Sequence, residues 1–385
     1  MCVASPHRPV KLSAGCMNST YNSAIAPQSL ETTMNTIEMC AGAGGQALGL
    51  HNAGFEHVAL VEIDAHACHT LRHNNATLAL NWGEIIEDDL KNFAEVRAES
   101  YKGQITLVAG GVPCPPFSKA GKQLGSEDDR DLFPTALDIV RKVQPKAVLL
   151  ENVAGLMDEK FSEYRSWIKQ QLASMGYLSD WRLLNASDFG VPQLRPRFIL
   201  VALQSDIFPH FTWPTGGVTP APTVGDALFD LIAAEGWGGA QAWRENANAI
   251  APTLVGGSKK HGGPDLGPAR AKAAWKKLGV NGHRVGNDLE IPKKNFKGAL
   301  LRTGKVRAGF EHMPHLNVRM AARIQGFPDT WTFVGTKTHA YRQVGNAFPP
   351  PVAQAVGQQI AIAIQAYKQA RERESHCDVA ADKAA

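Results

Sequence analysis

No stretch of this 385-residue chain approaches the ~18 consecutive apolar residues that a membrane-spanning helix needs. Its start shows no basic segment followed by an apolar one, so a secretory leader is not expected. The six cysteines (Cys2, Cys16, Cys40, Cys68, Cys114, Cys377) show no paired short spacing. That argues against a zinc site and against a disulfide framework, and it fits a reducing, cytoplasmic compartment. Zinc-dependent deamination falls with the missing ligand spacing.

What is present is an ordinary globular composition, 44% hydrophobic and 20% charged, with enough apolar mass for a sizeable core. Net charge is +4, but 251–310 holds 13 Lys+Arg against 3 Asp+Glu, leaving 27 basic and 33 acidic groups elsewhere. A basic segment on an otherwise acidic protein is the footprint of a polyanion-binding surface.

Residues 1–33 are rich in Ser, Asn, Thr, Ala and Pro without periodicity and read as a poorly ordered tail. Thr36-Ile37-Glu38-Met39 predicts a strand running into Cys40-Ala41-Gly42-Ala43-Gly44-Gly45, with a helix over Gln46–Asn52. Strand, glycine turn and helix open a nucleoside-binding doubly wound sheet. A second strand, His57–Ile63, carries Glu62, about twenty residues past the glycines, where an acid can take ribose hydroxyls. Asp88 follows the apolar pair Ile85-Ile86; it either takes an adenine amino group or caps a helix.

The apolar run Ile105–Ala109 delivers Cys114 into a loop crowded with Pro113, Pro115 and Pro116. Proline fixes φ and extends the residue before it, so the thiol is held in place. Ala147–Leu150 is a strand ending in Glu151-Asn152-Val153. If the two strands are parallel neighbours, Glu151 lies at the same sheet edge as Cys114. A helix is expected over Glu159–Met175, then strands near Trp181–Leu184 and Phe198–Leu203. Arg195 and Arg197 precede the latter, on one side of an extended chain, for a phosphate, a base or plain ion pairs. Past Phe208 the chain becomes loop-rich, with one helix from Pro268 to Leu278. Helices return over His315–Gly326 and Gln354–Arg373, around Gly345-Asn346-Ala347-Phe348-Pro349.

A nucleoside-binding sheet, a rigid thiol, a neighbouring carboxylate and a basic region suit thiol attack on a pyrimidine. A cysteine protease would need a base, and the early histidines fall on the wrong side of the first nucleotide unit. Addition of a thiolate to carbon 6 of cytosine makes carbon 5 nucleophilic, while Glu151, if burial raises its pKa, protonates ring nitrogen 3.

With these residues in place, the chain over roughly Asn35–Tyr367 strongly resembles the DNA cytosine-5 methyltransferases of prokaryotic restriction–modification systems. Ala41-Gly42-Ala43-Gly44-Gly45, Pro113-Cys114 with Phe117-Ser118, Glu151-Asn152-Val153, Gln193-Leu194-Arg195-Pro196-Arg197, Arg319–Pro328 and Gly345-Asn346-Ala347 fall in that family's order. Cys40, Pro115 and Phe348 depart from it.

The resemblance implies a Rossmann-like α/β methyltransferase sheet at 34–207, a smaller loop-rich target-recognition domain at 208–314, a return to the catalytic domain at 315–373, and a tail at 374–385. It implies S-adenosylmethionine as donor, with Glu62 at the ribose, Asp89 at the adenine, and Gly42, Gly44 and Asn346 at the methionine end. The wider cofactor set is Cys40, Ala41, Gly45, Ile63, Leu90, Pro113 and Ala347. It makes Cys114 the nucleophile and Glu151 the ring acid, with Arg195 and Arg197 orienting the base and its phosphate. Duplex contacts are expected from Ser118, Thr253, Leu254, Ser258, Lys259 and Lys260. The implied partners are double-stranded DNA and a cognate restriction endonuclease, for a monomeric protein of the bacterial cytoplasm, near the nucleoid. The alternatives are a tRNA cytosine-5 methyltransferase and a catalytically silent DNA-binding relative.

Overall fold

The apolar runs read from the sequence become strands β1 (Met34–Met39), β2 (Phe55–Glu62), β3 (Glu84–Glu87), β4 (Leu107–Gly110), β5 (Ala147–Val153), β6 (Tyr177–Asn185) and β7 (Pro196–Gln204). In this computed structural model they form one sheet in the order β3-β2-β1-β4-β5-β7-β6. Residues 33–113, 131–217, 220–256, 264–301 and 303–382 are described. Strands β1 to β6 run one way, and β7 is inserted antiparallel between β5 and β6. The chain order jumps outward in both directions from the β1/β4 boundary, which makes that boundary the switch point where doubly wound sheets bind ligands.

The central strands are apolar on both faces because helices cover both. Met39, Leu60, Val108, Leu149 and Leu200 have no or almost no exposed surface. The helices are α1 (Gly45–Asn52), α2 (Ala65–Thr77), α3 (Leu90–Val96), α4 (Phe133–Val143), α5 (Ser162–Ser174), α6 (Val224–Ala233), α7 (Ala240–Asn246), α8 (Ala269–Lys277), α9 (Val318–Ile324), α10 (Lys337–Asn346) and α11 (Pro350–Asp382). Sequence periodicity misses α2, whose buried face is mixed: Ala67, Cys68, Thr70, Leu71 and Asn74. It is instead announced by its cap, since the Asp64 carboxylate accepts from the N–H groups of His66 and Ala67. Helix α9 is shorter than the expected His315–Gly326, because the Asn317 side chain caps it at one end and Gly326, at φ 88°, ends it. Helix α11 runs on to Asp382 instead of ending at Arg373. Residues 374–382 contain no Gly or Pro to stop it.

Between β7 and α9 the described residues hold α6, α7, α8 and isolated bridges, with no strand longer than a bridge. Trp243 and Trp275 there belong to the same apolar cluster as Leu316, Met320, Trp331 and Tyr341, and as Leu48 and Leu71 on α1 and α2. No helix among the described residues is long and apolar enough to cross a membrane.

Candidate active site

Four chain segments converge at the carboxyl ends of β1, β2, β4 and β5 on a cavity of about 310 Å³. A pocket of this size at a switch point is where an α/β fold takes a small ligand.

The first wall is the turn after β1. Ala41 N–H donates to Val61 O across the strands, and Gly44 N–H closes the turn on Ala41 O. Gly42 N–H donates to Glu62 Oε2 at 2.7 Å, and a Cβ at Gly42 would meet nothing within 4 Å, so that side of the turn is open. Gly44 differs from the expectation. It does not line the cavity, and a Cβ on it would lie 2.8 Å from Leu71 and 2.9 Å from Trp331. At φ 85° it serves as the N-cap of α1 and lets the turn pack, so its glycine is demanded by the core. Cys40, Ala41 and Gly45 do line the cavity. Burial, with Glu62 and Asp89 nearby, pushes the Cys40 thiol far up, so it is a neutral wall.

Glu62 ends β2, and its second oxygen accepts from Asp64 N–H at 2.8 Å. Burial raises its pKa, and the N–H donors of Asp64 and Gly42 oppose that rise. Each oxygen keeps a lone pair for a hydroxyl. Ile63, Asp88, Asp89 and Leu90 complete this end. Of the two neighbouring acids it is Asp89 that caps α3, accepting from Lys91 N–H at 2.8 Å, while Asp88 holds Asn92.

The second wall is chemical. Strand β4 pairs in parallel with β5, Gly110 beside Leu150, so the turn after β4 and Glu151 leave the sheet together. A Cβ at Gly111 would lie 3.2 Å from Glu151 Oε2. Asn152 steadies the same turn by donating to Val112 O at 2.9 Å. Pro113 lines the cavity. Cys114 and Ser118 lie outside the described residues, as do Ser258, Lys259 and Lys260 and, of the tail expected over 1–33, residues 1–32. Glu151 is buried and forms an ion pair with Arg197, Oε1 to Nε 2.7 Å. Burial raises its pKa, while Arg197 and then Arg195 pull it down.

The two arginines do different things. Arg197 lies in β7 opposite Val153 and reaches Glu151. Arg195 is 1% exposed, and its guanidinium donates to Leu254 O at 2.7 Å, Gly345 O at 2.8 Å and Ala347 O at 3.0 Å. It therefore cannot orient a base or a phosphate as expected. It belongs to the lead-in before β7, where strand alternation does not apply, and it ties its own segment to two remote ones, at Leu254 and at 345–347. Gln193, fully buried, joins this knot through Leu254 N–H and the Gln325 side chain.

The last wall is the cavity face of α10. His339, Arg342, Gln343 and Asn346 line it at helical spacing, followed by Ala347 and Phe348. Asn346 and Ala347 were expected; His339, Arg342, Gln343 and Gln46 were not. The (i, i+3, i+4, i+7) pattern over 339–346 was the available signal. Thr253 is partly exposed and donates to Leu194 O. Leu254 is fully buried, with its N–H and C=O both engaged, so its side chain cannot meet DNA.

Comparison with known proteins agrees with this geometry. Residues 34–361 match the C-5 cytosine-specific DNA methylase family. Type II methyltransferase M.NaeI of Lentzea aerocolonigenes is 50% identical over 344 residues, 89% of this chain and 78% of that protein. Type II methyltransferase M.NgoMIV of Neisseria gonorrhoeae is 49% identical over 332 residues, 86% of this chain and 98% of that protein. In fold, a crystal structure of a Spodoptera frugiperda DNMT2 mutant superposes with a TM-score of 0.56 at 15% identity, covering 86% of this chain and all of that one.

Proposed function

Because the chain belongs to the C-5 cytosine-specific DNA methylases, and so is a DNA cytosine-5 methyltransferase, we propose that Cys114 and Glu151 carry its chemistry at the mouth of the switch-point cavity. The observation that supports this most is Glu151: a buried carboxylate with a raised pKa, beside the backbone turn that runs on into Cys114.

S-adenosylmethionine, when bound, supplies an electrophilic methyl group. The residues present fit it: Glu62 for the ribose hydroxyls, Ile63, Asp89 and Leu90 around the adenine, and the open Gly42 turn with Asn346 and Ala347 around the amino-acid end. The Cys114 thiolate forms a bond to carbon 6 of a flipped-out cytosine as Glu151 gives its proton to ring nitrogen 3. Carbon 5, now electron-rich, would take the methyl group as that methyl's bond to the donor sulfur breaks, leaving S-adenosylhomocysteine. The carbon 5 proton then passes to water, its electron pair re-forms the 5,6 double bond as the thiolate is expelled, and the nitrogen proton returns to Glu151. Arg197 holds the carboxylate in place and keeps its pKa from rising too far to re-ionise.

Residues 208–314 serve as the target-recognition region, with Thr253, Ser118 and the Ser258-Lys259-Lys260 loop towards the duplex. Phosphate contacts there offset the few kcal/mol that flipping costs. The two relatives are named Type II methyltransferases. By that likeness the protein acts in a restriction–modification system in the bacterial cytoplasm, with a cognate endonuclease sharing its site. Neither the tRNA enzyme nor the silent relative is favoured, since the matching family is one of DNA methylases. Cys114→Ser tests the assignment. Methyl transfer to duplex DNA should fall to background while duplex binding in a gel-shift assay persists, and transfer at the normal rate would refute the thiol mechanism.

A further inference from the structure

The basic stretch between β7 and α9 does not spend all its charge on acids. Lys272 pairs with Asp265 at 2.6 Å and Arg284 with Glu290 at 2.7 Å. Lys276, Lys293, Lys294, Lys297, Lys305 and Arg307 are exposed, and their side chains make no hydrogen bond or ion pair with any described residue. Two of the six are nevertheless held. Lys276 Nζ lies 4.6 Å from the centre of the Phe310 ring, and the Arg307 guanidinium carbon lies 5.8 Å from it. That ring is buried and braced edge-on by His283, with centroids 4.9 Å apart at 88°. Burial, then the charges of Arg307 and Lys272, hold the His283 pKa below its ordinary value, so at neutral pH the brace adds no charge. Glu311, the acid of this turn, accepts from Gly309 N–H at 3.0 Å instead. A cation resting on an aromatic ring is placed without using its N–H donors. Arg307 and Lys276 are thus held in position with those donors unspent.

Arg307 follows a short hairpin. Leu300 bridges Val306 antiparallel, Leu301 N–H donates to Lys305 O at 2.8 Å, and Gly304, at φ 75°, makes the turn. Leu300 and Leu301 are exposed on it, as are Thr303 and Lys305. An antiparallel ribbon fits the major groove of B-DNA. The segment 281–285, which carries His283, is hydrogen-bonded to Pro264 and Leu266, just past Lys260.

We propose that Arg307 reads a guanine of the target sequence from the major groove, with Lys276 on a nearby phosphate. This rests on residues 208–314 being the target-recognition region, and it names the residue there that reads a base. The forked donors of an arginine match the two acceptors that guanine presents side by side, O6 and N7. A lysine is a point charge and suits a phosphate. Phosphate is the competing partner for Arg307 too. The hairpin favours the base: a phosphate contact needs only a surface, such as the last turn of α8 that carries Lys276, whereas a ribbon enters the groove. The Phe310 ring also limits the swing of the guanidinium, which lowers the ordering cost of a directional contact.

The test lets the full chain methylate a library of duplexes randomised around one cytosine, with bisulfite sequencing to read the preferred site. Arg307→Gln should cut discrimination at one G·C position by about 10- to 100-fold and leave the other positions unchanged. Arg307→Lys should lose part of the discrimination at the same position. Lys276→Gln should keep the site and weaken gel-shift binding alike for all duplexes, with a salt slope smaller by about 1. If Arg307→Gln relaxes no position, relaxes an A·T position, or weakens all duplexes equally, the proposal is overturned. Lys293→Gln, Lys294→Gln and Lys297→Gln made together separate it from the reading beneath it. If that triple variant weakens duplex binding while Arg307→Gln keeps the site, only the Arg307 assignment fails. If neither the triple variant nor Lys276→Gln changes duplex binding, the recognition region is misplaced and the assignment falls with it. Arg307→Gln removes no hydrogen bond to a described residue, so its melting temperature should match the wild type, and Arg307→Lys carries the test if it does not.

Discussion

Replacing Arg195 by methionine separates a structural arginine from a chemical one. The side chain keeps an unbranched stem but is shorter and loses all donors. Leu254 O and Gly345 O are then left buried without the bonds of 2.7 and 2.8 Å, while Ala347 O keeps the Gln325 amide. Two stranded carbonyls cost ~1–3 kcal/mol each, so the loss is ~2–6 kcal/mol out of a typical 5–15. With a urea slope of about 3 kcal/mol/M, the unfolding midpoint followed by circular dichroism should drop by about 1–2 M. Because the carbonyls bracket Asn346, affinity for S-adenosylhomocysteine should fall as well. The matching Arg197→Met change breaks the buried pair with Glu151 and so lowers the midpoint too, but it should strike the rate of methyl transfer while leaving S-adenosylhomocysteine affinity near that of the wild type. If Arg195→Met unfolded like the wild type and lost only turnover, Arg195 would be acting on the substrate and the clamp assignment would be wrong.

Arg197→Gln removes the strongest influence holding the Glu151 pKa down. If the protonated acid is needed, the rate falls as pH rises through that pKa. The basic limb of the single-turnover pH profile should therefore move to higher pH, and movement downward would contradict the acid role. His57 is buried beside Glu38, with its pKa lowered by burial from 6.5 to about 3. Its contribution to stability is present above pH 6.5 and is lost as pH falls towards 3, by about 2 kcal/mol at pH 5. The Glu38 pKa is raised, so its contribution runs the other way, being lost as pH rises above 4.5. In His57→Gln only the second remains, so on going from pH 6.5 to 5 its urea midpoint should rise relative to the wild type's; an unchanged pH response would exclude His57 as a source. Leu254→Ala should cost about 2–4 kcal/mol of stability as a core deletion, read by the same unfolding assay. A variant of normal stability that bound DNA poorly would put that side chain at the interface after all.

The sequence by itself determined the sheet, the order of the site motifs and the chemistry. Each rests on local rules: apolar runs make buried strands, glycines after a strand make an open turn, and a carboxylate ending an apolar strand is held at the sheet edge. That is why β1, β2, β4, β5 and β7, and the places of Glu62 and Glu151, were legible. Helix α2 was not, because its buried face includes Thr70 and Asn74, whose partners come from Val334, Gln343 and Thr332, over 250 residues away. The tertiary structure alone decided which of two arginines meets the carboxylate and which is spent on remote carbonyls. It also turned Leu254 inward and Gly44 towards the core. Charge and burial at a point depend on segments that meet only in the fold, and sequence spacing carries no record of that meeting.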